Sequence, residues 1–152
     1  MTKKMQDIML RVCRSAAPHQ TSYHGVFPSN DMWAVCDGYR FIKTKEKPSG
    51  IDLMEPPPNG WIDLDSAINK AWDAEMISPP TEDEVKQRIQ ESGSTRRRPV
   101  IIEPFSGWTC NPHFLLDMIQ AMPRATYFKP KSQTSPLYCI GESGDALLLP
   151  RR

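Results

Sequence analysis

Fifteen prolines punctuate this chain, singly and in the clusters Pro56-Pro57-Pro58 and Pro79-Pro80, and they limit what it can fold into. Each fixes its own φ, removes a backbone donor and disfavours helix at the residue before it. Long uninterrupted elements are therefore not expected; short helices and strands joined by rigid, irregular connections are. The length of 152 residues suits one domain with a single core.

Between the prolines the apolar residues recur with readable periods. Met5, Ile8, Met9 and Val12 share one face of a helix over 4–15, with Lys4, Arg11 and Arg14 opposite. Tyr23–Phe27 and Met32–Cys36 read as two antiparallel strands across a turn at Pro28-Ser29-Asn30-Asp31, and Asp37-Gly38 as the tight hairpin into a third strand ending near Lys43. A helix is predicted near 64–76 from Leu64, Ile68, Trp72 and Met76 at intervals of four. Another begins at the capping-box spacing Thr81-Glu82-Asp83-Glu84, with a surface position and only Val85 and Ile89 as its apolar face. Residues 50–97 thus read as a helical insertion or subsidiary lobe. Pro99–Pro104 predicts a strand. The clearest helix is 111–122, with Asn111 as cap, Pro112 at the first position and Leu115, Met118, Ile119 and Met122 on one face. Strands are expected at Ala125–Lys129, Leu137–Ile140 and Ala146–Leu149. The outline is α+β: helix and antiparallel meander, twice, with a helical insertion, in a single domain over 1–152.

Composition excludes little. Lys+Arg 19 against Asp+Glu 18 leaves a formal charge of +1, so any nucleic-acid surface must be local. No apolar run approaches the roughly 20 residues of a membrane span, and Met1-Thr2-Lys3-Lys4 leads into an amphipathic stretch, so a soluble, cytoplasmic protein is expected. Cys13, Cys36, Cys110 and Cys139 form no C-x-x-C pair and read as reduced thiols. Cys110 and His113 have C-x-x-H spacing, but further ligands would have to come from positions as distant as Cys13 or His24, and neither a metal nor another cofactor is expected. There is no glycine-rich phosphate loop, zinc-protease motif or nucleophile elbow. Asp63, Asp65, Asp73 and Glu75 suit a helix dipole better than an acidic metal site. A catalytic role is not expected.

Asn111-Pro112-His113-Phe114-Leu115-Leu116-Asp117, followed by Ser135-Pro136-Leu137 and the ending Ala146-Leu147-Leu148-Leu149-Pro150-Arg151, resembles the closing half of a bacterial DNA sliding-clamp domain. That family, the β subunit of DNA polymerase III, carries an N-x-x-Y/F-L-L-D-type helix, an S-P-L-like segment and an apolar-M-P-x-R ending. Cys36-Asp37-Gly38-Tyr39-Arg40-Phe41 is similar to its T-D-G-H/Y-R-L hairpin. Clamps of this kind have three such domains per chain and close as dimers around DNA. This chain has room for one, and 50–97 has no counterpart in the pattern.

The resemblance implies a non-catalytic processivity or tethering factor that self-associates and holds duplex DNA without reading its sequence. Helices line the channel of such clamps, which assigns DNA contact to Lys4, Arg11 and Arg14 on the first helix and to Arg124 beside the last. The densest basic run, Arg96-Arg97-Arg98, is a further candidate. A pocket for the peptide of a replication or repair protein would involve Leu147, Leu149 and Pro150. The plainer readings stay open: each basic stripe as a solvated helix face, and Leu147 and Leu149 as core. The other function class is a protein-interaction module that keeps the clamp-like fold without encircling DNA, gripping a partner through the insertion with Trp61, Trp72 and Trp108.

Overall fold

The computed structural model describes residues 1–15, 25–61, 63–71 and 75–151. The first helix, α1, covers Lys3–Ser15 and buries the apolar stripe that its spacing predicts, Met5, Ile8, Met9 and Val12, together with Cys13. The meander β1 (Phe27–Ser29), β2 (Met32–Cys36) and β3 (Arg40–Thr44) follows. Asn30 and Asp31, both at positive φ, turn the first hairpin. Pro28, expected in that turn, lies within β1 opposite Trp33, where an edge strand tolerates a missing donor. Tyr23 and His24 lie outside the described residues.

The second half repeats the arrangement. Helix α4 (Pro112–Ala121) starts on its predicted cap, the Asn111 side chain accepting the His113 backbone N–H, and runs into β7 (Thr126–Phe128), β8 (Leu137–Ile140) and β9 (Gly144–Leu148). The two meanders join at β3 and β9, which pair antiparallel from Arg40↔Leu148 to Thr44↔Gly144. Together with β4 (Met76–Ile77) they make one antiparallel sheet in the order β1-β2-β3-β9-β8-β7-β4. Gly144 is required where the two halves meet. Its φ is positive, and a β-carbon there would collide with the Lys43 carbonyl oxygen.

Both faces of this sheet are covered, which is why β3 and β9 are buried at every position and their hydropathy does not alternate cleanly. One face presents Val35, Ile42, Cys139, Ala146 and Leu148 to α1 and α4. The other presents Ala34, Phe41, Tyr138 and Leu147 to Leu64 of α2 (Leu64–Ala71), with Trp61 and Ile68 packed alongside.

The stretch 50–97 is thereby built into the domain and is not a lobe beside it. Helix α2 roofs the second sheet face, and β4 extends the sheet by pairing with β7 at Met76↔Phe128 and Ile77↔Tyr127. Helix α3 (Glu82–Ser92) packs along α4. The helix expected over 64–76 is described only to Ala71. Met76 belongs to β4 and is 69% exposed, so its spacing from Leu64 and Ile68 is not a helical face. Trp72 is outside the described residues. For α3 the Thr81 hydroxyl caps as expected, accepting the Glu84 N–H, and the surface position holds: Val85 is buried, Ile89 is half-buried, and most of the rest of the helix is exposed. The strand expected over 99–104 runs instead from Ile102 to Phe105 as β5. It turns through Gly107 onto a strand that sequence reading missed, β6 (Trp108–Cys110).

Candidate nucleic-acid interface

The β2–β3 turn sets the first part of the site. Asp37 folds back on its own turn, Oδ1 accepting the backbone N–H groups of Tyr39 (3.0 Å) and Arg40 (3.1 Å). Its Oδ2 accepts Arg40 Nε at 3.0 Å and the Ser15 hydroxyl, at the end of α1, at 2.7 Å. So held, and with its guanidinium 3.9 Å from the centre of the Phe114 ring, Arg40 reaches across to α4 and donates from Nη1 to Asp117 Oδ2 at 2.8 Å.

Asp117 is where the helical layer converges. It is fully buried, and three guanidiniums from three separate segments meet on it. Arg40 comes from β3, Arg11 from α1 donates to Oδ1, and Arg96 from the loop after α3 closes a bidentate fork, Nη1 to Oδ2 at 2.9 Å and Nη2 to Oδ1 at 2.7 Å. Burial pushes the Asp117 carboxyl up, but the Arg96 hydrogen bonds and the Arg40 charge outweigh it and hold the group below the usual carboxylate range. The cluster therefore has three cations against two carboxylates, Asp37 and Asp117, and an excess of one positive charge. Arg11 and Arg96 keep 41% of their side chains exposed, so that excess faces water.

Around this cluster the chain adds exposed arginines. Arg14 is three residues beyond Arg11 on α1, on the same side of the helix, and Arg97 and Arg98 follow Arg96 in a loop closed by Thr95 and Arg98 through backbone and hydroxyl bonds. Five of the seven cations singled out from the sequence, Arg11, Arg14, Arg96, Arg97 and Arg98, thus gather at one end of the helical layer. Lys4 and Arg124 do not join them. Arg124 follows the opposite end of α4, and Lys4 acts electrostatically on Glu82, which accepts from Gln120 near that same end. Glu82, Asp83 and Glu84 form the first turn of α3 there, beside Lys4 and with Lys86 3.1 Å from Glu82, so the layer is basic at one end and mixed in charge at the other.

Neither a known protein family, nor a curated protein, nor a solved structure matches the chain.

The remaining sequence candidates are dispersed. Leu147 is buried on the α2 side of the sheet, Pro150 is half-buried, and Leu149, 38% exposed, donates its N–H to the Tyr39 carbonyl at 2.8 Å. Cys110 is fully buried and its thiol is pushed up to about 12 by desolvation, while His113 Nε2 bonds Ser94 Oγ at 2.9 Å. Among the described residues no three His, Cys, Asp or Glu side chains are grouped to hold a metal ion. Asp63 accepts the Ser66 N–H at the start of α2, Asp65 is bonded by Asn30 and lies 3.6 Å from Lys43, and Asp73 is outside the described residues. Trp108 is buried and donates to the Ser135 carbonyl, and Trp61 stacks on Phe27. No helix among the described residues is long and apolar enough to cross a membrane.

Sequence reading missed Asp37, Arg40, Ser94 and Asp117 as members of the site. A trace of Asp117 was present: an acid between Leu116 and Met118, in the middle of the most apolar helix, must be either exposed or fully paired.

Proposed function

We propose that this chain is a non-catalytic DNA-tethering protein of sliding-clamp type, whose arginine-rich end holds the phosphates of duplex DNA without reading sequence. The observation that carries the reading is the convergence of Arg11 and Arg96 on one buried carboxylate, with Arg14, Arg97 and Arg98 beside them. Guanidiniums fixed by a shared acceptor are pre-organised for phosphate. Two helix-and-meander units sharing one sheet, with the D-G-Y-R hairpin and the N-P-H-F-L-L-D helix in matching places, support a clamp-type domain as the scaffold. A clamp-type role further implies a cytoplasmic location, self-association, and a replication or repair protein as the tethered partner. Leu149 and Pro150 are the accessible part of the terminal segment that such a partner would meet.

A second reading is favoured by one specific feature. Helix α3 packs along α4, covering part of the surface that would line a channel, and brings three acidic residues with it. A protein-interaction module that does not encircle DNA would use that mixed-charge end. Fluorescence anisotropy with two labelled duplexes of unrelated sequence, in low salt, separates the two. Tethering predicts equal affinities, within about twofold, for both duplexes, and loss of binding as salt is raised. No binding to either duplex at low salt would reject it in favour of the interaction module.

A further inference from the structure

We propose that His113 is a proton-operated latch on the loop that carries Arg96, Arg97 and Arg98. Ser94 begins this loop and is buried against α4. Its Oγ accepts the Val100 N–H at 2.8 Å, which ties the two ends of the loop together, and lies 2.9 Å from His113 Nε2. A hydroxyl has one proton to give, and this one makes no other bond among the described residues, so it donates to Nε2. The ring is therefore neutral in the closed loop, with its own proton on Nδ1. Protonation at Nε2 turns a donor onto a donor. The oxygen can accept from both N–H groups, but its own proton must then turn away and is left without an acceptor among the described residues in a buried place, which weakens the loop closure.

The charges around the ring favour the neutral form. Burial and the Arg96 guanidinium lower the His113 pKa, and Asp117, one turn further along α4, opposes them. That carboxylate is already shared among Arg96, Arg11 of α1 and Arg40 of β3. Of the neighbouring elements, α3 carries Arg88, which acts on the buried Cys110 thiol of β6. A base whose pKa is depressed in the closed state binds its proton more readily in the open one. Closure is therefore complete above the ordinary histidine range and weakens as pH falls through it. An opened loop would no longer hold Arg96 on Asp117, and the basic end would lose its fixed geometry.

The consequence for phosphate binding rests on the function proposed above, but the latch is tested without any ligand. Hydrogen exchange of the full chain, corrected for intrinsic rates, is measured at pH 7.5 and 5.5. Protection of residues 95–100 should fall by roughly tenfold between them while the centre of α4 is unchanged. In His113→Gln, whose amide oxygen also accepts from a hydroxyl but does not titrate, the fall should disappear. Nitrogen shifts of the His113 ring in the unaltered protein give a second readout independent of that variant's folding, and should show the proton on Nδ1 at pH 7.5. Equal protection at both pH values, an equal fall in His113→Gln, or the proton on Nε2 would overturn the latch. Duplex binding that is absent while the latch is present would count against the tethering function alone.

Discussion

Asp117→Ala is expected to lower folding stability by about 3–5 kcal/mol, read by urea denaturation, because it breaks a buried ion cluster on one side only. The Asp117 side chain is enclosed and accepts from Arg11, Arg40 and both terminal nitrogens of Arg96. Arg11 and Arg96 are partly exposed and regain water when it is removed. Arg40 does not. Its side chain is 4% exposed, its Nη2 already has no partner among the described residues, and of these only Asp37 would remain to pair with it. The penalty is dominated by that stranded guanidinium. Asp117→Asn keeps the shape, removes the charge and should lose about 2 kcal/mol, which leaves a test if the alanine variant does not fold. Since the native carboxyl is held below its ordinary range, its stabilising contribution is full above the unfolded-state value of 3.8 and is lost as pH falls through the folded one. The wild type and Asp117→Asn should therefore converge in acid. A loss below about 1 kcal/mol in Asp117→Ala would mean that the cluster does not organise the helical layer.

The second large effect concerns binding. Replacing Arg14, Arg97 and Arg98 together with glutamine should weaken duplex binding by about 100-fold in low salt and flatten the plot of log affinity against log salt by about 3, near one unit for each phosphate contact removed. All three side chains are exposed, and neither Arg11 nor Arg96 is touched, so stability should change by no more than about 0.5 kcal/mol. Lys4→Gln with Arg124→Gln is the control at the opposite end and should change affinity by less than about threefold. Equal losses from the two sets would mean that bulk charge is responsible and that the arginine cluster is not a site.

Much of the architecture was legible because local rules and tertiary packing agree. The apolar stripe of α1, the Asn111-Pro112 start of α4, the Thr81 cap of α3 and the Asp37-Gly38 hairpin each follow from a spacing or a residue whose physical role does not depend on distant contacts. The failures lie where tertiary context prevails. Met76 continues a spacing of four from Leu64, yet its backbone pairs with the edge of β7, which no local pattern encodes. Strand β6 has three residues and owes its existence to its hairpin with β5.

The candidate site divides in the same way. Each arginine of the basic end is visible as a residue, but their convergence is not. Arg11 and Arg96 become neighbours only because α1 and the loop after α3 both meet the middle of α4, and Asp117 acquires its role only from that meeting. Lys4 has the same helical spacing as Arg11, and the structure separates them because α3 brings Glu82 to one end of α1 and Arg96 to the other.

Backbone amide shifts of isotope-labelled protein, titrated with a short duplex of arbitrary sequence in low salt, test the location of DNA binding most directly. The arrangement predicts that the perturbed amides cluster at 11–15, 95–98 and 113–114, fade together as salt is added, and leave α2 and the β7–β4 edge unmoved. Perturbation centred on Lys4, Arg124 and the first turn of α3, or none at any position, would contradict it.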